Sequence, residues 1–213
     1  MTHSLTAVCI ACAAGAASAD HTQYTNSSVL EWGTDGTSIV YQGPTTLFPS
    51  TINVSGTTNP ILDVYIVLHE GAHTYADDLE ITLRGPNGNV LKVLQDAGGG
   101  DDIAGDLRFD DAGAAPMPNG SGFGPFGGGV PYQVSIYGET STRSTAPTPN
   151  ITDFSGYDGL SANGDWELYV YDDAGGDTGA FSGGWSIFIN TVPAPASAAL
   201  LGLAGLAGVS RRR

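Results

Sequence analysis

Leu62, Val64, Ile66 and Leu68 alternate with Asp63, Tyr65, Val67 and His69. A period of two turns one face of a pleated strand toward a core and the other toward water, whereas a helix needs apolar residues three and four apart. Leu79, Ile81 and Leu83 alternate in the same way. Pro86-Asn87-Gly88-Asn89 then supplies turn chemistry before Val90, Leu91, Val93 and Leu94, so a hairpin is expected over 78–95. Further short strands are expected at 37–42, 50–54, 106–110, 132–137, 166–171 and 184–190. No stretch sustains a helical period with caps. With 31 Gly and 12 Pro punctuating 213 residues, this pattern predicts an all-β chain folded as an antiparallel β-sandwich or jelly roll. The Gly-rich run 120–129 reads as a loop inside that domain, because patterned strands resume at Tyr132.

Seven Lys and Arg face 22 Asp and Glu, a formal charge of -15. That sign repels phosphate backbones and anionic lipid headgroups and excludes nucleic acid as a main partner. Both ends read as addresses. Residues 1–19 hold no charged side chain, run apolar from Leu5 through Ala17, and close on Ala17-Ser18-Ala19 before Asp20, which predicts a signal peptide and export. Cys9 and Cys12 fall inside it, leaving no cysteine in the mature chain. Residues 191–213 place Val192-Pro193-Ala194-Pro195 before an apolar stretch at 198–209 and Arg211-Arg212-Arg213. That stretch is marginal as a membrane span, and terminal arginines hold such an end on the cytoplasmic side.

This order of elements resembles the PEP-CTERM sorting signal of Gram-negative bacteria, with Ala194 where the family carries Glu. The resemblance implies handling by an exosortase, membrane contact only through this segment, and delivery to the cell surface or its exopolysaccharide. A plain C-terminal anchor is the other reading. Between the two addresses, residues 20–190 carry Arg84, Lys92, Arg108 and Arg143 against all 22 acids, a formal charge of -18.

Two stretches are more specific. The first is His73-Thr74-Tyr75 with Asp78-Leu79-Glu80-Ile81-Thr82-Leu83 and Gly85-Pro86-Asn87-Gly88. The second runs from Phe154-Ser155-Gly156 through Asn163-Gly164-Asp165-Trp166-Glu167-Leu168 to Asp172, Gly176-Asp177-Thr178-Gly179 and Trp185-Ser186-Ile187. With Phe109-Asp110-Asp111-Ala112 between them, they resemble the P domain, or P/Homo B domain, that follows the catalytic domain of proprotein convertases and many bacterial subtilisin-like proteases. The resemblance covers 45–190, after an N-terminal strand region at 20–44, and Gly85 stands where the family has Ser. It implies a jelly roll with a galactose-binding-like fold that is not itself catalytic and that stabilises or regulates a protease. The 25 residues at 20–44 cannot hold a protease domain, so a stand-alone, non-catalytic chain is expected.

The acids gather as Asp77-Asp78, Asp96, Asp101-Asp102, Asp106, Asp110-Asp111 and Asp172-Asp173 with Asp177. Calcium takes six to eight oxygens from carboxylates, carbonyls and water, which Gly-Asp loops supply. No segment has EF-hand spacing, so a calcium site assembled from separate loops is expected, with Asp78, Asp110, Asp111, Asp172, Asp173 and Asp177 as ligands meeting at one end of the sandwich. The competing reading is a solvated acidic surface with Asp serving turns.

His69-Glu70-Gly71-Ala72-His73 spells H-E-x-x-H, which on a helix binds zinc and aims the Glu at bound water. The strand pattern before it and Gly71 argue against a helix, leaving His73 as a structural loop histidine and Glu70 as a solvated carboxylate. Trp166 and Trp185 sit in strand patterns and read as core. Trp32, Tyr24 and Tyr41 are candidates for exposed, sugar-stacking aromatics. The expected function is an exported, calcium-stabilised structural or interaction module for a cell-surface or exopolysaccharide component. The alternatives are an accessory to a subtilisin-like protease in trans, a zinc metalloprotease through His69, Glu70 and His73, and a carbohydrate-binding module.

Overall fold

The computed structural model describes residues 21–32, 42–138 and 144–192. All but the last residue of the expected strand at 37–42, the signal segment, Tyr41 and nearly all of the sorting segment lie outside the described residues. Within them, thirteen strands and two single 3-10 turns form two sheets packed face to face.

The spine of the first sheet is β5 (Ile61–His73), a 13-residue strand long enough to pair with different neighbours along its length. On one side it pairs with β13 (Trp185–Thr191) over its first part and with β12 (Gly179–Phe181) over its last three residues. On the other it pairs with β8 (Ile103–Phe109). β1 (Thr22–Asn26) closes one edge against β13, β2 (Leu30–Glu31) pairs with β12, and β9 (Pro131–Tyr132) runs parallel to β8. The first two strands of the N-terminal strand region, β1 and β2, are thus built into this sheet.

The second sheet is ordered β10 (Ser135–Ile136), β7 (Val90–Gln95), β6 (Leu79–Arg84) and β11 (Gly164–Asp172). β4 (Ser50–Val54) pairs with the first half of β11 and β3 (Gly43–Pro44) with its last two residues. The β6–β7 hairpin closes on a turn in which the Gly88 N–H donates to the Gly85 carbonyl at 3.0 Å. Gly88 there has φ 88°, a conformation open to glycine and strained for other residues.

The core is what alternation demands. Val64, Ile66 and Leu68 from β5, Leu79, Ile81 and Leu83 from β6, Trp166, Leu168 and Val170 from β11, and Trp185, Ile187 and Ile189 from β13 fill the space between the sheets. Both tryptophans donate their indole N–H inward, Trp166 to the Ala162 carbonyl at 3.0 Å and Trp185 to Ser50 Oγ at 3.0 Å.

Three departures have local causes. Leu62 is 47% exposed, and Ile61 takes its place in the core, because the β5–β13 register shifts at Asn190/Thr191. In place of one strand at 132–137 there are two two-residue strands, β9 (Pro131–Tyr132) and β10 (Ser135–Ile136), that join different sheets. Trp32 is buried at 3% exposure, with its ring edge-on to His73 at 5.0 Å, and Tyr24 packs against the core. Neither is a free platform for a sugar ring. β1, β2, β3 and β12 carry too little alternation to be read from sequence; pairing partners hold them in place.

Candidate functional site

β5 ends at His73, β6 begins at Leu79 and β11 ends at Asp172, and the register pairs Leu79 with Asp172. Three chain segments therefore meet at one end of the sandwich. Tyr75 and the single turn Ala76–Asp78 connect the two sheets there. The Asp173 N–H donates to the Asp78 carbonyl at 2.8 Å, and the Gln42 side chain donates to the Asp173 carbonyl.

His73 is buried at the end of β5, so it is a strand-end residue of the core and not a loop residue. Its Nε2 is 3.3 Å from Asp172 Oδ2, and its Nδ1 is 2.8 Å from the Tyr75 carbonyl oxygen. Asp172 Oδ1 accepts the Ala174 N–H at 3.1 Å, and Asp177 Oδ1 accepts from Thr74 Oγ1 at 2.9 Å. Asp78 is also buried, at 6% exposure. Burial first, and then the carboxylates of Asp172 and Asp177, push its carboxyl up to about 7, against the opposing pull of His73. Burial likewise raises Asp172, with the His73 hydrogen bond offsetting part of the effect.

Apart from His73, no Lys or Arg answers this charge among the described residues. Arg84 is paired with Glu167 at 3.0 Å, Lys92 with Glu80 at 2.7 Å, and Arg108 with Asp110.

The expected meeting of all the acidic loops divides in two. Asp78, Asp172, Asp173 and Asp177 come together, whereas Asp110 and Asp111 sit at the opposite end. β8 runs antiparallel to β5, so Ile103 lies beside His73 and Phe109 beside Ile66. Asp110 is thereby carried roughly 23 Å away at ~3.3 Å per strand residue. It accepts from Arg108 and from the Ala112 N–H at 2.8 Å. Asp111 accepts the N–H groups of Phe154 at 3.2 Å and Ser155 at 2.8 Å, beside a recess of about 450 Å³ shared with Gln133, Thr152 and Asp153. These two carboxylates fasten turns. Among the described residues, no group of three or more His, Cys, Asp and Glu is arranged to hold a metal ion, and the oxygens of Asp172 already accept hydrogen bonds.

The H-E-x-x-H segment lies on β5, not on a helix. His73 faces the core, while His69 faces outward, with Nδ1 3.2 Å from Asp106 and Nε2 2.8 Å from Ser186 Oγ. Glu70 is exposed and accepts from Ser182 Oγ at 2.8 Å. The two imidazoles therefore serve separate networks on opposite faces of the sheet.

One feature at the acidic end escaped sequence reading. The carboxylate of Asp101 accepts the backbone N–H groups of Gly122, Phe123 and Gly124 at 2.7, 2.8 and 2.7 Å. Those donors hold it below the usual carboxylate range. They also fix the loop tip so that Phe123 stands 66% exposed, with Tyr75 at 39% exposure on the same end of the sandwich. The Gly-rich run gave no sign of this, since its order comes from a carboxylate 21 to 23 residues earlier.

Comparisons with protein-family models, curated proteins and solved structures find no match to this chain. The P-domain resemblance rests on the residues quoted for it. No helix among the described residues is long and apolar enough to cross a membrane.

Proposed function

We propose that this chain is an exported, P-domain-like binding module, sorted to the cell surface by its C-terminal segment, which contacts an exopolysaccharide or surface component through the loops at its acidic end. The observation that carries the reading is Phe123, an aromatic side chain held in solvent by a loop whose backbone is already ordered. An aromatic anchor on a rigid loop loses little conformational freedom on binding, and such anchors dominate interface energetics. Retention of the purified chain on isolated exopolysaccharide tests it. Loss of retention in Phe123→Ala supports the reading, and equal retention of both proteins overturns it.

Calcium belongs to the same proposal in a narrowed form. Asp78, Asp172 and Asp177 share one end of the sandwich but are not arranged around a common point, so a divalent cation would have to draw them together, and in doing so would offset repulsion that no described Lys or Arg relieves. Binding would exchange the hydrogen bonds those carboxylates now make. A rise in Tm when calcium replaces chelator at pH 8, absent in Asp172→Asn, supports the site. Identical melting in chelator and in calcium removes it.

A further inference from the structure

The outer face of the first sheet carries a chain of polar side chains outside the acidic end. The register of β5 against β8 shifts between Leu68 and Gly71, and Glu70 within that bulge takes φ 52°, a left-handed conformation costly for a residue with a side chain. The bulge has two effects. It directs the Glu70 N–H onto Asp106 Oδ1 at 2.9 Å, and it sets His69 between Asp106 and Ser186 of the adjoining β13. His69 Nδ1 is 3.2 Å from Asp106 Oδ2 and Nε2 is 2.8 Å from Ser186 Oγ. The Glu70 N–H, and after it His69, holds Asp106 below the usual carboxylate range, so it stays ionised at neutral pH. An ionised Asp106 takes the Nδ1 proton as its hydrogen bond and leaves the Nε2 lone pair facing the serine hydroxyl. The fourth member is Gln23 on β1, whose Nε2 is 3.1 Å from Ser186 Oγ, with Thr25 Oγ1 2.8 Å from the same oxygen.

We propose that Ser186, His69 and Asp106 form a nucleophile, general base and orienting carboxylate for acyl transfer from neutral carboxylic esters with small acyl groups. Ser186 Oγ forms a bond to the ester carbonyl carbon as its proton passes to His69 Nε2. The C–O bond to the leaving group breaks, and that oxygen takes the proton from His69. Water, deprotonated by the same Nε2, then releases the acid and restores the serine. Ser186 is fully buried at rest. On the side of the edge strand its hydroxyl is bonded by the side chains of Gln23 and Thr25, two exposed residues, and exposed side chains change rotamer in picoseconds to nanoseconds. The acyl group would lie on Phe188, which pairs with Gln23 in register and stacks on Tyr65 at 4.5 Å. Asp106 and Glu70 beside the site disfavour anionic substrates. This departs from the non-catalytic role that the P-domain resemblance implies, and it stands apart from the binding role proposed above.

The test is covalent. The full chain is treated with a fluorophosphonate and the adduct is located by peptide mapping, alongside turnover of p-nitrophenyl acetate. The expected result is an adduct at Ser186 that is absent in Ser186→Ala, with the labelling rate lowered about 100-fold or more in His69→Gln. Thr25→Ala thins the cover and removes the Oγ1 contact that competes with His69 for the Ser186 hydroxyl, and it is expected to label at least as fast as the wild type. Circular dichroism confirms that each variant is folded. Absence of a Ser186 adduct in both the wild type and Thr25→Ala overturns the proposal, as does ester turnover that survives undiminished in Ser186→Ala.

Discussion

His73 Nε2 meets Asp172 Oδ2 at 3.3 Å with both side chains shut away from solvent, and the buried carboxyl of Asp78 shares their end of the sandwich. The folded chain raises Asp78 from 3.8 to about 7. Between those values the folded state holds a proton that the unfolded state releases, so the stabilising contribution is complete below about pH 4, shrinks as pH rises and is gone above about 7. In chelator, Tm is therefore expected to fall from pH 5 to pH 8. Asp78→Asn is expected to flatten that slope and to raise Tm at pH 8, as read by thermal melts at the two pH values.

Lys92 and Glu80 form an ion pair at 2.7 Å on the second sheet, with side chains 8% and 2% exposed, and Glu80 Oε1 has no hydrogen-bond partner among the described residues. Lys92→Met strands a buried carboxylate and is expected to cost about 3–5 kcal/mol in urea denaturation. Replacing both residues, with Glu80→Leu added, removes the stranded charge and is expected to recover most of that loss.

Ser50 Oγ accepts the indole N–H of Trp185 at 3.0 Å inside the core. Ser50→Ala leaves the indole unpaired without opening a large void, and a loss of about 1–3 kcal/mol is expected. Trp185→Ala also empties the site, for about 3–5 kcal/mol. A double-mutant cycle over the two positions is expected to show strong coupling, because the two residues share one hydrogen bond.

Gly184 has φ +72°, and a Cβ there would stand 2.1 Å from the Asn26 carbonyl oxygen at the end of β1. Gly184→Ala must displace that edge strand and strain its own backbone, at an expected cost above about 1 kcal/mol. Faster amide exchange across residues 22–26 than across the β6–β7 hairpin is the measurement that locates the damage.

Alternation in β5, β6 and β11 and the Pro86–Asn89 turn made the β-sandwich, its central hairpin and most of its core legible in the sequence, because pleat direction depends only on a residue's neighbours in the chain. The same local rule explains why H-E-x-x-H reads as non-helical, although it left His73 in a loop and the structure makes it the last residue of β5. It also explains the failures. Leu62 faces water because it is the extra residue where β5 slips by one against Asn190 and Thr191 of β13, and Trp32 is buried because His73 and its surroundings cover it. The six candidate aspartates read as one site and fold into two. Whether Asp110 joins Asp78 depends on the direction in which β8 runs beside β5, and no residue near either aspartate records that direction.

Local chemistry by itself therefore determined the longer strands, the hairpin turn, the acidity and most of the core residues. The tertiary structure alone decided which charges meet, as Asp78 with Asp172 and His69 with Asp106 and Ser186. Those contacts join residues tens of positions apart, and strand order and register bring them together.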